Sequence, residues 1–161
     1  MNSFKNINLF PFTAHINNKE HLQIGGCDCV DLAEEYGTPL YIFDETTIRS
    51  KCQEFRHEFE RLYSNTLVLY ASKAFLNKTI VNILREENIG LDVVSGGELH
   101  LAESLSFPND IIYFHGNNKT SAELEKALNY KIGRIVVDNF YELELLNKLA
   151  TFSFFPTIKD L

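Results

Sequence analysis

The sequence predicts an α/β fold built on a parallel β-sheet. Three observations carry that prediction. Short apolar runs begin near residues 66, 89, 111 and 134, a step of about 22 residues. A strand, a helix and two short loops occupy about that length. Each run is followed by a stretch with apolar residues at helical spacing, as in Ile80, Val81, Ile83 and Leu84. The runs are apolar along their whole length instead of alternating, the pattern of strands covered on both faces by helices. Two architectures satisfy this pattern, a βα barrel and an open doubly wound sheet. Four units are only half of a closed barrel, and the period alone does not choose between the two.

The elements follow in order. Residues 1–26 are polar and mixed and read as an irregular lead-in. Residues 28–36 read as a short helix with Val30, Leu32 and Ala33 apolar and Gly37 as its stop. After Thr38-Pro39 the run Leu40-Tyr41-Ile42-Phe43 is strand-like by its aromatic and β-branched content. Asp44 can cap the next helix. There Ile48, Cys52, Phe55, Phe59 and Leu62 recur at spacings of three and four and share one face. The regular part then runs through strands at 66–71, 89–94, 111–114 and 134–137. Its helices lie at 77–87, 97–105, 121–129 and 141–150. The tail at 151–161, TFSFFPTIKDL, departs from the pattern. It could open a fifth strand, which nothing would cover. The organisation read from the chain is a lead-in at 1–37, the regular βα part at 38–150 and the divergent tail at 151–161.

Composition narrows the function classes. Of 161 residues, 45% are hydrophobic and 23% charged, with a net charge of −7. Such a balance argues against a nucleic-acid groove but leaves room for a local basic pocket holding one phosphate. The three cysteines, Cys27, Cys29 and Cys52, are odd in number and irregular in spacing. They read as plain thiols, neither a disulfide framework nor a zinc site. The first residues, MNSFKNINLFPF, lack the apolar core of a secretory signal. No apolar run approaches the length that spans a bilayer. No nucleic-acid or membrane partner is expected, and the cytoplasm is the default location.

The chemistry centres on Tyr70-Ala71-Ser72-Lys73-Ala74. Lys73 falls just past the carboxyl end of an apolar strand, the edge at which parallel βα folds assemble their sites. A lysine at the mouth of an apolar pocket is partly desolvated. That disfavours its ammonium and frees the amine to attack an aldehyde. A solvated lysine at a strand end is the simpler alternative.

The run YASKAF resembles the lysine motif of the alanine-racemase-like barrel decarboxylases, which use pyridoxal 5′-phosphate. Four more segments support this. The stretch GTPLYIFD at 37–44 resembles the entry segment of diaminopimelate decarboxylases. LDVVSGGEL at 91–99, FHGNNK at 114–119, and Val137-Asp138-Asn139 with Glu142-Leu143 resemble further motifs of that family. The resemblance covers residues 24–150 and favours the barrel.

It implies pyridoxal 5′-phosphate as cofactor, with Lys73 joined to the cofactor aldehyde and Asp92 close to that bond. His115 would line the same pocket, and Asn117 would be a polar wall or a turn former. Ser95-Gly96-Gly97 begins the second helix, a start whose free N–H groups could hold an anion; since the family binds the phosphate mainly by a later glycine-rich loop, the two glycines read as turn and close-packing residues, and Glu98 as a solvated or capping residue or support for the Asp92 loop. Lys78 and Lys119 read as exposed residues at helix starts, without chemistry. The substrate class implied is a small amino acid, with decarboxylation of meso-diaminopimelate to L-lysine as the reaction. A pyridoxal-phosphate-binding remnant without turnover and a decarboxylase of another basic amino acid are the alternatives. The family continues into the rest of the barrel, a glycine-rich phosphate loop and a carboxyl-terminal β-domain, and forms homodimers. None of those later motifs appears here. A chain of this extent is therefore expected to be marginally stable, to aggregate, or to pair through open sheet edges.

Overall fold

The computed structural model describes residues 9–152. Most of the expected tail, 153–161, lies outside the described residues, as do the first eight residues of the lead-in. The chain divides into two compact units, one ending at Glu54 and one beginning at Phe55.

The first unit corrects the expectation of an irregular lead-in. It contains an antiparallel three-stranded ladder, β1 (His15–Ile16), β2 (Leu22–Ile24) and β3 (Cys27–Asp28). These strands are two or three residues long, too short to show an alternating pattern in the sequence. Their turns are what the sequence displays. Asn17 accepts the Lys19 and His21 amides through its side-chain oxygen, and Gly25 and Gly26 both have positive φ. The helix α1 (Cys29–Tyr36) forms as expected, capped by Asp28, whose carboxylate accepts the Val30 amide. Gly37 ends it at φ 82°. The run at 40–43 forms no strand. High β-propensity becomes a strand only where another strand offers its backbone, and none does so among the described residues. Asp44 caps α2 (Glu45–Leu62) as expected. Its Oδ2 accepts the Thr47 amide at 3.1 Å and the Thr13 hydroxyl at 2.9 Å.

The second unit holds the βα repeat. Strands β4 (Leu69–Ala71), β5 (Gly90–Val93), β6 (Ile112–Phe114) and β7 (Arg134–Ile135) lie in the order β4-β5-β6-β7, all parallel. Between and after them run α3 (Lys78–Glu86), α4 (Gly96–Ser104), α5 (Ser121–Tyr130) and α6 (Phe140–Phe152). Each helix starts on a side-chain cap that the sequence supplies. Asn77 accepts the Ile80 amide, Ser95 the Glu98 amide, Thr120 the Glu123 amide and Asn139 the Glu142 amide.

Among the described residues only one sheet face is buried. Leu91, Val93, Ile112 and Phe114 pack beneath Val81, Leu84, Leu99, Ala102, Leu124 and Ala127, all buried. Each large side chain there contributes about 1.5–3 kcal/mol. The other face carries Ala71, Asp92, Tyr113 and Arg134 in register across the four strands. Ala71 and Arg134 are exposed and the other two partly so. The expectation of strands covered on both faces is thus corrected. Within Leu91-Asp92-Val93 and Ile112-Tyr113-Phe114 the buried and accessible positions alternate, because adjacent side chains leave opposite faces of the sheet. The apolar face expected on α2 is also left open in its second half, where Phe55, Phe59 and Leu62 are exposed.

Candidate active site

The carboxyl ends of β4, β5 and β6 bring three of the expected residues to one edge of the sheet. The chain leaves β4 through a 3-10 turn, Ser72–Ala74, that packs against β5. Tyr70 closes this turn from below, its hydroxyl donating to the Phe75 carbonyl at 2.8 Å. Lys73 sits at the centre of the closed turn. It is exposed and makes no hydrogen bond or ion pair among the described residues. Ser72 beside it is buried, with a hydroxyl that has no partner.

Asp92 is the register partner of Ala71, two residues before Lys73. Its Oδ1 lies 3.1 Å from Nδ1 of His115, and the two side chains are 23% and 54% exposed respectively. The pairing has a simple origin. His115 lies two positions beyond Tyr113, the register partner of Asp92, so both side chains leave the same sheet face. The His115 amide donates to the Val93 carbonyl at 2.8 Å, extending the parallel pairing past β6. Asn117 lies in the same loop but is exposed and forms no hydrogen bond among the described residues.

The loops around this edge are tied by carboxylates from the following helices. Glu98 Oε2 accepts the Val94 amide at 2.7 Å. Glu123 accepts the Gly96 amide at 2.7 Å through Oε1, and the Thr120 amide and hydroxyl at 2.9 and 2.8 Å through Oε2. The hydrogen bond from the Thr120 backbone is the largest cause holding the Glu123 carboxyl below its usual range, with the Gly96 amide and the Lys119 charge assisting. A Cβ on Gly96 would sit 2.9 Å from Glu123 Cγ, which explains the glycine. A Cβ on Gly97 would meet only Ser95 Oγ, at 3.9 Å, so close packing does not require a glycine there. The start of α4 therefore already holds an anion of the protein's own, and its amides do not offer a phosphate cradle.

Sequence reasoning misses one residue here. The sequence suggests an exposed Lys119, yet its side chain is 1% exposed and its ammonium lies 2.9 Å from Oε1 of Glu142, itself 5% exposed. The ammonium also donates to the Val136 carbonyl at 3.0 Å and to the Gly116 carbonyl. It stands 5.7 Å above the Phe114 ring. The signal available is positional. Lys119 directly precedes the N-cap Thr120, where the chain still turns inward, and Glu142 falls in the first turn of the next helix. Arg134 also carries no signal of its own in the sequence; its guanidinium lies 5.2 Å from the Tyr113 ring centroid, in the row that contains Asp92.

A parallel βα sheet that carries an exposed lysine and a carboxylate–imidazole pair at its carboxyl edge has the kinds of group with which a carbonyl cofactor can be held through lysine. Residues 45–153 match the model of the pyridoxal-dependent decarboxylase family's pyridoxal-binding domain, and the chain belongs to that family. It is 49% identical over 142 residues to a diaminopimelate decarboxylase of Bacillus methanolicus, covering 88% of this chain and 33% of that protein. It is 46% identical over 160 residues to the diaminopimelate decarboxylase of Synechocystis sp., covering 94% and 34%. Among solved structures, the diaminopimelate decarboxylase of M. jannaschii in co-complex with L-lysine superposes with a TM-score of 0.80 at 34% identity. That match covers 89% of this chain and 34% of the other. The chain spans about a third of the length of these relatives.

Among the described residues, no helix is long and apolar enough to cross a membrane, and no cluster of His, Cys, Asp and Glu is arranged to hold a metal ion.

Proposed function

We propose that this chain is the amino-terminal, lysine-bearing part of a pyridoxal-phosphate-dependent diaminopimelate decarboxylase, acting on meso-2,6-diaminopimelate to give L-lysine. In this reading residues 38–150 form the first half of a βα barrel and the accessible sheet face turns toward the barrel interior. The observation that carries it is Lys73, exposed and unengaged at the end of β4, one strand away from the Asp92–His115 pair. The relatives that match along nearly the whole chain bear that enzyme's name.

The residues present suit the aldehyde and ring of pyridoxal phosphate. Lys73 would hold the cofactor through its aldehyde, since its side chain is exposed and engaged by nothing among the described residues. Asp92 would place a carboxylate at the same sheet edge, one strand from Lys73. His115 borders the space, its ring held by Asp92. Pyridoxal phosphate supplies, when bound, an electron sink for the charge left on carbon as carbon dioxide departs. The cofactor's phosphate has no evident holder among the described residues, since the start of α4 is taken by Glu123.

Adding pyridoxal phosphate and reducing with borohydride, followed by peptide mass spectrometry, tests the assignment. The adduct is expected on Lys73 and is expected to vanish from that peptide in Lys73→Ala. An adduct on other lysines at equal yield would overturn it. Carbon dioxide release from meso-diaminopimelate then separates an active chain from one that only binds.

A further inference from the structure

We propose that Lys119 is a positioning residue, whose buried ammonium clamps the loop carrying His115 to the end of β7 and to α6 and so holds His115 against Asp92. The proposal rests on the reading of Lys73, Asp92 and His115 as one site. Lys119 hydrogen-bonds to neither Asp92 nor His115; it acts through the loop.

Three oxygens surround this ammonium: it donates to the Gly116 and Val136 carbonyls and forms an ion pair at 2.9 Å with Glu142 Oε1, which accepts no hydrogen bond among the described residues. The first adjoins His115. The second lies in the segment whose amide donates to the Phe114 carbonyl at 2.9 Å, just before His115. The third belongs to α6, started by Asn139. One buried cation thus fixes the loop after β6 from three sides, with the Phe114 ring beneath it.

Stability alone is a weak reason for this arrangement. Withdrawing two charges from water is costly, and an apolar pair of similar volume often serves the fold as well. What an apolar pair cannot do is donate to the Gly116 and Val136 carbonyls. The clamp and a merely packed pair therefore make different predictions.

The test uses the full chain carrying K119M and E142L together. A folded variant is expected, melting within about 5 °C of the parent, because the pair is replaced by matching apolar volume. Its His115 and Val136 amides are expected to exchange with solvent at least about tenfold faster through local opening. Its half-saturation for pyridoxal phosphate is expected to rise about tenfold or more, with the adduct still on Lys73. Unchanged exchange in the folded variant overturns the clamp, and so does faster exchange with unchanged cofactor affinity. Should the parent fail to take pyridoxal phosphate on Lys73, the site reading falls while the exchange comparison still decides the clamp. A variant that does not fold leaves a measurement on the parent. Nitrogen-detected NMR of the Lys119 ammonium is expected to show slowly exchanging protons, and rapid averaging with water overturns the proposal.

Discussion

The ammonium of Lys119 and the carboxylate of Glu142 meet at 2.9 Å, one βα unit apart in the chain and both nearly inaccessible to water. Two segments that the sequence presents as separate motifs, at 114–119 and 137–143, are thereby a single contact. The same construction recurs one unit earlier. Glu123, in the first turn of α5, reaches back to the Gly96 amide at the start of α4. Glu98, in the first turn of α4, closes its own loop on Val94. Each of these loops at the carboxyl edge is fastened by a glutamate from the first turn of a helix, which keeps the loops rigid without apolar residues at the site.

Removing one partner of the Lys119–Glu142 pair is predicted to be costly. Glu142→Leu leaves the buried ammonium without its anion and should lower stability by about 3–5 kcal/mol. Urea unfolding measures this. A loss under about 1 kcal/mol would mean that water reaches Lys119 and that the pair is not buried in solution.

Glu123→Gln is predicted to cost about 1–2 kcal/mol, because the amide has one acceptor oxygen for two separate sets of donors. The pH dependence has a definite sign. The folded protein holds the Glu123 carboxyl below its usual range. Its contribution is therefore full above the ordinary carboxylate range and is lost as the pH falls through the lower folded value. In Glu123→Gln the acid limb of the stability–pH curve should flatten, and an unchanged limb would count against this assignment.

Much of the fold is legible in the sequence because its signals are local. The step from strand to strand, the cap Asp44 and the stop at Gly37 all lie in short stretches of sequence. The ladder of β1, β2 and β3 is not legible, since strands this short carry no alternation and only their turns show. The run at 40–43 misleads for the opposite reason: its composition suits a strand, but pairing depends on a partner that composition does not reveal. Within the site, Lys73, Asp92 and His115 emerge from motif and strand-end position. Lys119 does not, because a lysine before a helix is usually solvated, and only the later Glu142 makes its burial tolerable.

Asp28 gives the first unit its own acid response. Burial opposes its ionisation, but hydrogen bonds from Asn17, His21 and the Val30 amide outweigh that and hold its pKa down to about 2. A carboxyl lowered on folding stabilises the folded form above its unfolded pKa, and this stabilisation is lost as the pH falls toward about 2. Circular dichroism and the α1 amide resonances should show that helix loosening between the ordinary carboxylate pKa and that value. Asp28→Asn should loosen it at neutral pH and remove the transition. A helix unchanged down to a pH of about 2 would contradict the assignment.

Tyr70 offers the gentlest probe of the lysine turn. Its hydroxyl spans Ser72–Ala74 to reach the Phe75 carbonyl at 2.8 Å, and Tyr70→Phe removes that one oxygen while keeping the ring. An exposed hydrogen bond of this kind is worth about 0.5–1.5 kcal/mol, so the fold should survive nearly unchanged. The turn should lose its closure, and Lys73 should hold pyridoxal phosphate several-fold less tightly, since a site residue depends on the elements that fix it. Titration with pyridoxal phosphate, read as absorbance and checked by the borohydride adduct, measures the change. Melting in parallel separates the two effects. Weaker binding at an unchanged melting temperature assigns the hydroxyl to holding Lys73, whereas equal binding shows that the turn keeps its shape through its packing on β5 alone.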